Sequence, residues 1–350
     1  MLKAPAASRG RLVAAILAGS WRPVPPSLQL GPAQLDEIGP LLLASGVGAL
    51  AWRRVRRTEL ETSSAAAQLH QAYRLYSLQS VVRVREIEQV FELLRAAGVE
   101  PLLVKGWAVA RLYPEEGLRP GGDIDLCIRP EQYRAARDVL KSAEGRRYNV
   151  DLHRGFERLD GASAEELFER SQPVSLGNGQ VRILAPEDHL RVLSFHMLRE
   201  GVWRPIWLCD VAVAVESRGA GFDWERCLSR DRQQSDWVAC AIGLAHQLLG
   251  VAIDGTPVER RAGRLPSWLV PGVLKQWRAV TMHRRYNAPV RIGLRHPVEV
   301  LRGLRYHWPN PIEGTIGVGG SFNELPRLPF QLADCLLRTK RLMTRLPDRG

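Results

Sequence analysis

The sequence predicts an α+β fold in which a small mixed β-sheet core, residues 99–185, lies between helical regions at residues 1–98 and 186–350. Residues 59–97 contain no glycine or proline and carry apolar side chains at helical spacing, which predicts one long helix or two. Residues 99–153 alternate short apolar strands with helical segments. This alternation places the sheet in the middle of the chain, with helices before and after it.

The N-terminal region begins with a pattern that two interpretations fit. Lys3, Arg9 and Arg11 precede an apolar run at residues 12–18, as in a short signal peptide. Because the run has only seven residues, we interpret it as the first helix of a folded domain. No run in the chain approaches the roughly 18 apolar residues that a spanning helix needs.

The central feature of the core is an acidic strand. From Asp123 to Ile128, apolar residues alternate with Asp123, Asp125 and Cys127, which predicts a β-strand with the two carboxylates on one face. Side chains two residues apart on a strand are separated by about 7 Å. Two carboxylates at this spacing can hold a divalent cation between them, and a third carboxylate makes a two-metal site possible.

Basic residues and glycines flank this strand in sequence. The apolar run 102–104 ends in Lys105-Gly106, and glycine permits close approach of the backbone to an anion. Arg119 and Gly122 come shortly before the acidic pair, and arginine is suited to bidentate contact with phosphate. A metal-bound triphosphate requires such groups beside the carboxylates.

In combination, these motifs resemble the nucleotidyltransferase superfamily of the DNA polymerase beta type, most closely one of its bacterial branches. The superfamily's usual pair is Gly-Gly or Gly-Ser, whereas Trp107 follows Gly106 here. The motifs that carry the resemblance are Lys105-Gly106, Leu112-Tyr113, Arg119, Gly122 to Leu126, Pro186-Glu187-Asp188 and Trp207 to Asp210.

The resemblance implies transfer of a nucleoside monophosphate from an NTP such as ATP, with Mg²⁺ or Mn²⁺ as cofactor. It assigns Asp123 and Asp125 to metal binding and catalysis, and it expects a third acidic residue on a neighbouring strand. Asp151, in the alternating stretch Tyr148 to His153, matches that position, although a surface residue at a strand edge is the other interpretation. The resemblance further implies nucleotide binding by Lys105, Gly106, Arg119 and Gly122, and His153 is a candidate contact to substrate.

The later part of the chain yields structural predictions. Residues 174–183 predict a hairpin around Gly177-Asn178-Gly179, and Pro186 predicts the start of a helix. His189 and His196 share one face of that helix, where we favour a role in the core or an interface over metal binding. Residues 315–321 loosely resemble a phosphate loop but are interpreted as a flexible loop, and residues 328–346 predict a basic amphipathic helix.

Charge and cysteines indicate partners and compartment. The net charge of +12 is uneven, because residues 258–350 hold 17 Lys and Arg against 6 Asp and Glu. This basic third suggests an anionic partner, with a solvated surface as the alternative. The five cysteines are scattered without zinc-site spacing, so we expect reduced thiols in a cytoplasmic protein.

The functional hypothesis is a metal-dependent nucleotidyltransferase with an open acceptor: a small molecule, a peptide or RNA. The resembling branch implies a place in the biosynthesis of ribosomal peptides or surface polysaccharides. One alternative is a kinase that uses the same site to attack the γ-phosphorus. Another is a non-catalytic protein that binds nucleic acid or peptide.

Overall fold

The computed structural model describes residues 6–155, 164–228, 231–280 and 308–344. Helices dominate these residues, and one mixed sheet lies among them, which confirms the predicted α+β fold. Numbered along the described chain, the helices are α1 Ala6–Leu17, α2 Pro32–Ala44, α3 Gly48–Val55, α4 Ser64–Ala96, α5 Trp107–Ala110, α6 Tyr133–Leu140, α7 Ala164–Arg170, α8 Pro186–Arg199, α9 Pro205–Glu216, α10 Trp224–Leu228, α11 Arg232–Leu249, α12 Glu259–Ala262, α13 Leu269–Trp277, α14 Pro311–Gly317 and α15 Leu328–Thr344.

The sheet has five strands: β1 Leu102–Leu103, β2 Ile124–Ile128, β3 Val150–Arg154, β4 Gln172–Leu176 and β5 Gly179–Ile183. Their spatial order is β3-β2-β1-β5-β4. The β2–β3 and β1–β5 pairs are parallel, and the β1–β2 and β4–β5 pairs are antiparallel. The predicted hairpin is β4–β5, in which Gly177 adopts a φ of 52° in the turn.

Helix α4 is a single 33-residue helix, because nothing between Ser64 and Ala96 interrupts it. The Ser63 hydroxyl accepts a hydrogen bond from the Ala66 N–H at its start, and Gly98 takes a φ of 73° just beyond its end. Its first turns pack with α2 and α3, and its last turns place Ile87 and Phe91 against the sheet.

Both faces of the sheet are covered. The alternation in β2 turns its apolar residues toward α4 and α6, while Cys127 faces Phe168 of α7 and Val192 of α8. All five residues of β2 are buried. Asp125 therefore points toward the α7 and α8 side, at the place where that covering ends.

A larger core joins residues of both helical regions, including Leu17 of α1, Leu69 of α4, Leu208 of α9 and Leu244 of α11. The predicted division into regions at residues 98 and 185 stays a prediction.

Helix α1 buries Ile16 and Leu17 completely, as a helix of a folded domain does. Among the helices that the structure describes, none is long and apolar enough to cross a membrane.

One prediction was wrong and another extends past the described residues. Thr315 belongs to the short helix α14 and is fully buried, although residues 315–321 were expected to form a flexible loop. The Asn310 side chain accepts hydrogen bonds from the backbone of Ile312 and Glu313, which starts that helix. The predicted C-terminal helix runs to Thr344, and residues 281–307 of the basic third lie outside the described part of the chain.

Candidate active site

The candidate site is built on the parallel pair β2–β3. Asp125 and Asp151 are register partners on these adjacent strands. Strand pairing therefore fixes the two carboxylates side by side, because paired residues project to the same face of a sheet. His153 lies two residues along β3 and shares that face. Ligand atoms of Asp125, Asp151 and His153 all lie within 4.8 Å of one another.

Lys105 completes a network around Asp125. The Lys105 Nζ lies 2.6 Å from Asp125 Oδ1, and the His153 Nε2 lies 3.3 Å from the same oxygen. The His153 Nε2 is also 3.4 Å from Asp151 Oδ2, so the imidazole bridges the two carboxylates. Burial alone raises the pKa of Asp125, but the hydrogen bond from His153 and the charge of Lys105 outweigh it, so the net pKa is lowered. Asp125 is thus held ionised.

The three predicted acidic residues differ in exposure. Asp125 is 5% exposed, whereas the Asp151 side chain is 53% exposed and Asp123 is also exposed. Asp123 lies just before the first residue of β2 and is not one of the three residues grouped within 4.8 Å. The site therefore has a fixed carboxylate at its base and two carboxylates that reach solvent.

All eight predicted site residues line one open cleft of about 740 Å³. The cleft runs from the sheet to the C-terminal helices, since α8 and α9 supply its opposite wall. The predicted residues that line it are Lys105, Gly106, Arg119, Gly122, Asp123, Asp125, Asp151 and His153.

The glycines of the cleft serve different purposes. Gly106 has a φ of 62° and a ψ of −113°, a backbone conformation that side chains with a Cβ disfavour. A Cβ built there meets the Asp123 carbonyl at 3.4 Å, so the turn after β1 packs close to the acidic strand. A Cβ at Gly122 meets nothing within 4 Å, which leaves that part of the cleft open.

Arg119 has a partner that the sequence did not reveal. Its Nε and Nη2 donate to Asp210 of α9 at 2.9–3.1 Å, and the Tyr113 hydroxyl donates to the same carboxylate at 2.9 Å. Burial lowers the pKa of Arg119, but the Asp210 charge outweighs it and the net pKa is raised. Burial and the Asp210 charge raise the pKa of Tyr113 well above its usual value. These three residues, here called the buried triad, tie the segment before β2 to α9.

The two histidines of α8 lie in different surroundings. His189 is buried, as expected of a core residue, and burial with the charge of Arg111 lowers its pKa to about 3. His196 lies seven residues, or about two helical turns, further along α8. It lines the cleft and packs edge-on against Trp207, with ring centroids 4.9 Å apart. Burial and the charge of Lys105 lower the pKa of His196 to about 3, so it is neutral.

His196 and Trp207 were named from the sequence, but it was not predicted that they belong to a C-terminal wall of the cleft. This wall is rich in aromatic and basic side chains, and the stretch Trp203-Arg204-Pro205-Ile206-Trp207 was the available signal. Its members are Phe195, His196, Arg199, Arg204, Trp207 and Trp237.

A mixed sheet with carboxylates on adjacent strands, beside a lysine and a glycine-lined cleft, is the arrangement that the resemblance to nucleotidyltransferases leads one to expect. The chain matches the model of a family described as uncharacterised nucleotidyltransferase over residues 32–250, more than half of its length. It belongs to that family. No curated protein and no solved structure matches the chain.

Proposed function

We propose that this protein is a divalent-metal-dependent nucleotidyltransferase, which transfers a nucleoside monophosphate from an NTP such as ATP to a hydroxyl of an acceptor. The observation that carries the proposal is the register pairing of Asp125 with Asp151, whose ligand atoms and that of His153 lie within 4.8 Å of one another in an open cleft. Membership of a nucleotidyltransferase family supports the same reaction class.

The donor set of the site fits a hard divalent cation. Asp123, Asp125 and Asp151 offer carboxylate oxygens, which Mg²⁺ and Mn²⁺ prefer, and the Lys105 ammonium already lies 2.6 Å from one of them. We assign the three carboxylates as the residues that hold the metal. When bound, Mg²⁺ supplies positive charge to the phosphate oxygens and orients the nucleotide.

In the proposed reaction, the acceptor oxygen attacks the α-phosphorus of the NTP. The new O–Pα bond forms as the bond between the α-phosphorus and the bridging oxygen breaks, and pyrophosphate leaves. Asp151, exposed at the cleft, takes the hydroxyl proton or assists its removal. Lys105 neutralises charge that develops on the phosphates, and most of the rate enhancement comes from positioning and electrostatics.

The remaining cleft residues bind substrates in this proposal. Gly106 and Gly122 leave room for the phosphate chain, and His153 contacts the substrate beside Asp151. Arg119 holds Asp210 with two of its nitrogens, so its contribution to nucleotide binding is a positive charge at the cleft wall.

The acceptor in this proposal is a small molecule, a peptide or RNA, used in peptide or polysaccharide biosynthesis. The basic C-terminal third provides positive charge for an anionic partner. The five cysteines of the chain are free, which supports a cytoplasmic location.

The test follows the label from [α-³²P]ATP and [γ-³²P]ATP, or the other NTPs, with Mg²⁺ and acceptor mixtures. We expect the α-label in the product and the γ-label in pyrophosphate, with the acceptor identified by mass spectrometry. Product that carries the γ-label instead would establish a kinase. No consumption of any NTP, with wild-type protein equal to Asp125→Asn, would leave the non-catalytic alternative.

A further inference from the structure

Arg204 lies on the C-terminal wall of the cleft, directly before α9. Its guanidinium carbon is 5.6 Å from the ring centroid of Trp203 and 5.5 Å from that of Trp207. Two indole rings thus hold the side chain in place beside the cleft, since a cation is attracted to an aromatic face at this distance.

The guanidinium of Arg204 makes no ion pair or hydrogen bond with any residue that the structure describes. Its Nε is buried without a hydrogen-bond partner. The charge of the nearby Asp210 favours the protonated form of Arg204, but the carboxylate accepts its hydrogen bonds from Arg119 and Tyr113. Burial and the charge of Arg119 lower the pKa of Arg204.

Three other arginines that are buried or partly buried have hydrogen-bond partners. The buried Arg54 donates to the carbonyl oxygens of Ile16 and Pro26. Arg119 pairs with Asp210, and Arg170 pairs with Asp188 at 2.9 Å. Removing a guanidinium from water costs free energy that a partner anion normally offsets. Cation–π contacts of about 0.5–1 kcal/mol each offset only part of that cost. Arg204 therefore retains unused hydrogen-bonding capacity, and it lines the same cleft as the carboxylates.

We propose that Arg204 is an oxyanion-binding residue, whose guanidinium receives a phosphate or carboxylate group of a substrate. The identity of that substrate rests on the proposed function. Arg119, Asp125 and Arg204 all line this cleft, so the second anion site lies in the same cleft as the carboxylates proposed to bind metal. The group bound there is either the terminal phosphates of the nucleotide or an acidic group of the acceptor.

The test measures binding rather than turnover, so that it stands if the catalytic proposal fails. Inorganic phosphate and inorganic tripolyphosphate are titrated by calorimetry, without metal and at low salt, into wild-type protein and Arg204→Gln. Arg204→Lys keeps a charge and serves as the conservative variant. The matched control is Arg218→Gln, because Arg218 stacks at 5.4 Å on Trp224 in a separate cleft.

We expect Arg204→Gln to weaken phosphate binding about tenfold or more, since hydrogen bonds to charged groups are among the strong ones. Arg204→Lys should recover part of the affinity, and Arg218→Gln should bind as wild type does. Weaker tripolyphosphate binding by Arg204→Gln would assign the site to the nucleotide. Unchanged tripolyphosphate binding with weakened phosphate binding would assign it to an acidic acceptor.

Equal binding of both anions by wild type and Arg204→Gln would overturn the proposal. Thermal melting of each variant accompanies the titrations. If Arg204→Gln does not fold, Arg204→Lys is used instead. This variant keeps the positive charge but lacks the planar set of N–H donors of a guanidinium. Affinity equal to that of wild type for both anions would then also contradict the proposal.

Discussion

Two charged clusters lie at the same cleft, and they differ in burial and in how many of their polar atoms form hydrogen bonds within the protein. In the buried triad, Arg119 binds Asp210 through two nitrogens while Tyr113 donates to the same carboxylate. At the sheet, Asp125 contacts Lys105 and His153, but its partner strand carries the half-exposed Asp151. The first cluster is largely buried, whereas the second includes a carboxylate, Asp151, that is half exposed to solvent.

The charged residues of the two clusters come from the same set of sequence motifs, but the difference in burial indicates that they have different roles. A saturated ion pair in the interior fixes the position of elements, since breaking it leaves an uncompensated buried charge. An open cluster in which carboxylates outnumber their cationic partners can bind a further cation or take up a proton. Mutations in the two clusters should therefore affect different quantities.

The substitution Asp125→Asn tests the open cluster and has the largest expected effect. We expect turnover to fall by at least about a hundredfold, because the variant lacks one of the carboxylates that we propose to hold the metal, together with its charge. The melting temperature should fall less than in Asp210→Asn, because the flexible Lys105 side chain lines the open cleft and can turn toward solvent. Steady-state turnover and thermal melting are compared with those of Asp138→Asn, an exposed carboxylate on α6 outside the cleft. Wild-type turnover in Asp125→Asn would remove the site assignment.

Asp210→Asn tests the buried triad, and we expect it to reduce the free energy of unfolding strongly. It leaves Arg119 buried without its anion, and breaking one partner of a buried pair typically costs about 3–5 kcal/mol. Urea unfolding measures this loss directly. Replacing all three residues of the triad, as Arg119→Met and Asp210→Leu with Tyr113→Phe, should cost less than Asp210→Asn alone, because no polar group of the triad is then left without a partner. If Asp210→Asn is as stable as wild type, the triad does not have the structural role given to it here.

Asp151→Asn tests whether the two carboxylates of the open cluster, Asp125 and Asp151, have different roles. We expect the turnover number to fall by about a hundredfold, a typical contribution of a general base, with nucleotide affinity much less affected. The half-exposed position of Asp151 predicts little loss of stability. Equal losses of nucleotide affinity and turnover would show that Asp151 binds the nucleotide rather than acting on the acceptor.

His189 gives the smallest expected effect, in the pH dependence of stability. Burial and Arg111 lower its pKa to about 3 in the folded state, whereas an unfolded histidine takes up a proton near pH 6.5. Stability is therefore lost as pH falls from about 6.5 toward 3, by about 1–2 kcal/mol at pH 5. His189→Gln should remove this part of the pH dependence, as measured by urea unfolding at pH 7 and pH 5. The exposed His70→Gln is the control, and a slope unchanged in His189→Gln would contradict the assignment.

Local patterns in the sequence predicted the parts of the fold that depend on local spacing. The alternation in β2, the uninterrupted stretch of α4 and the hairpin turn at Gly177 all follow from periodicity or turn chemistry. The proximity of Asp125 and Asp151 could also be predicted from the sequence, because it required only that two alternating strands be neighbours.

The rest depended on contacts between distant residues. Nothing local shows that Arg119 meets Asp210, 91 residues away, or that Asp125 is buried while Asp123 is exposed. The α14 helix was missed because its glycines are typical of a loop, and the Asn310-Pro311 pair that caps it was not considered. Glycine there packs against α15, since a Cβ at Gly314 meets the Gln331 backbone at 2.9 Å.

Helix α4 has a mechanical consequence. It is about 50 Å long, and it contributes Leu69 to the larger core and Phe91 to the core against the sheet. Because helix formation is cooperative, an uninterrupted helix resists melting at one end while the other stays packed. The two cores therefore share one backbone strut, and heat should unfold them in a single calorimetric transition rather than one after the other.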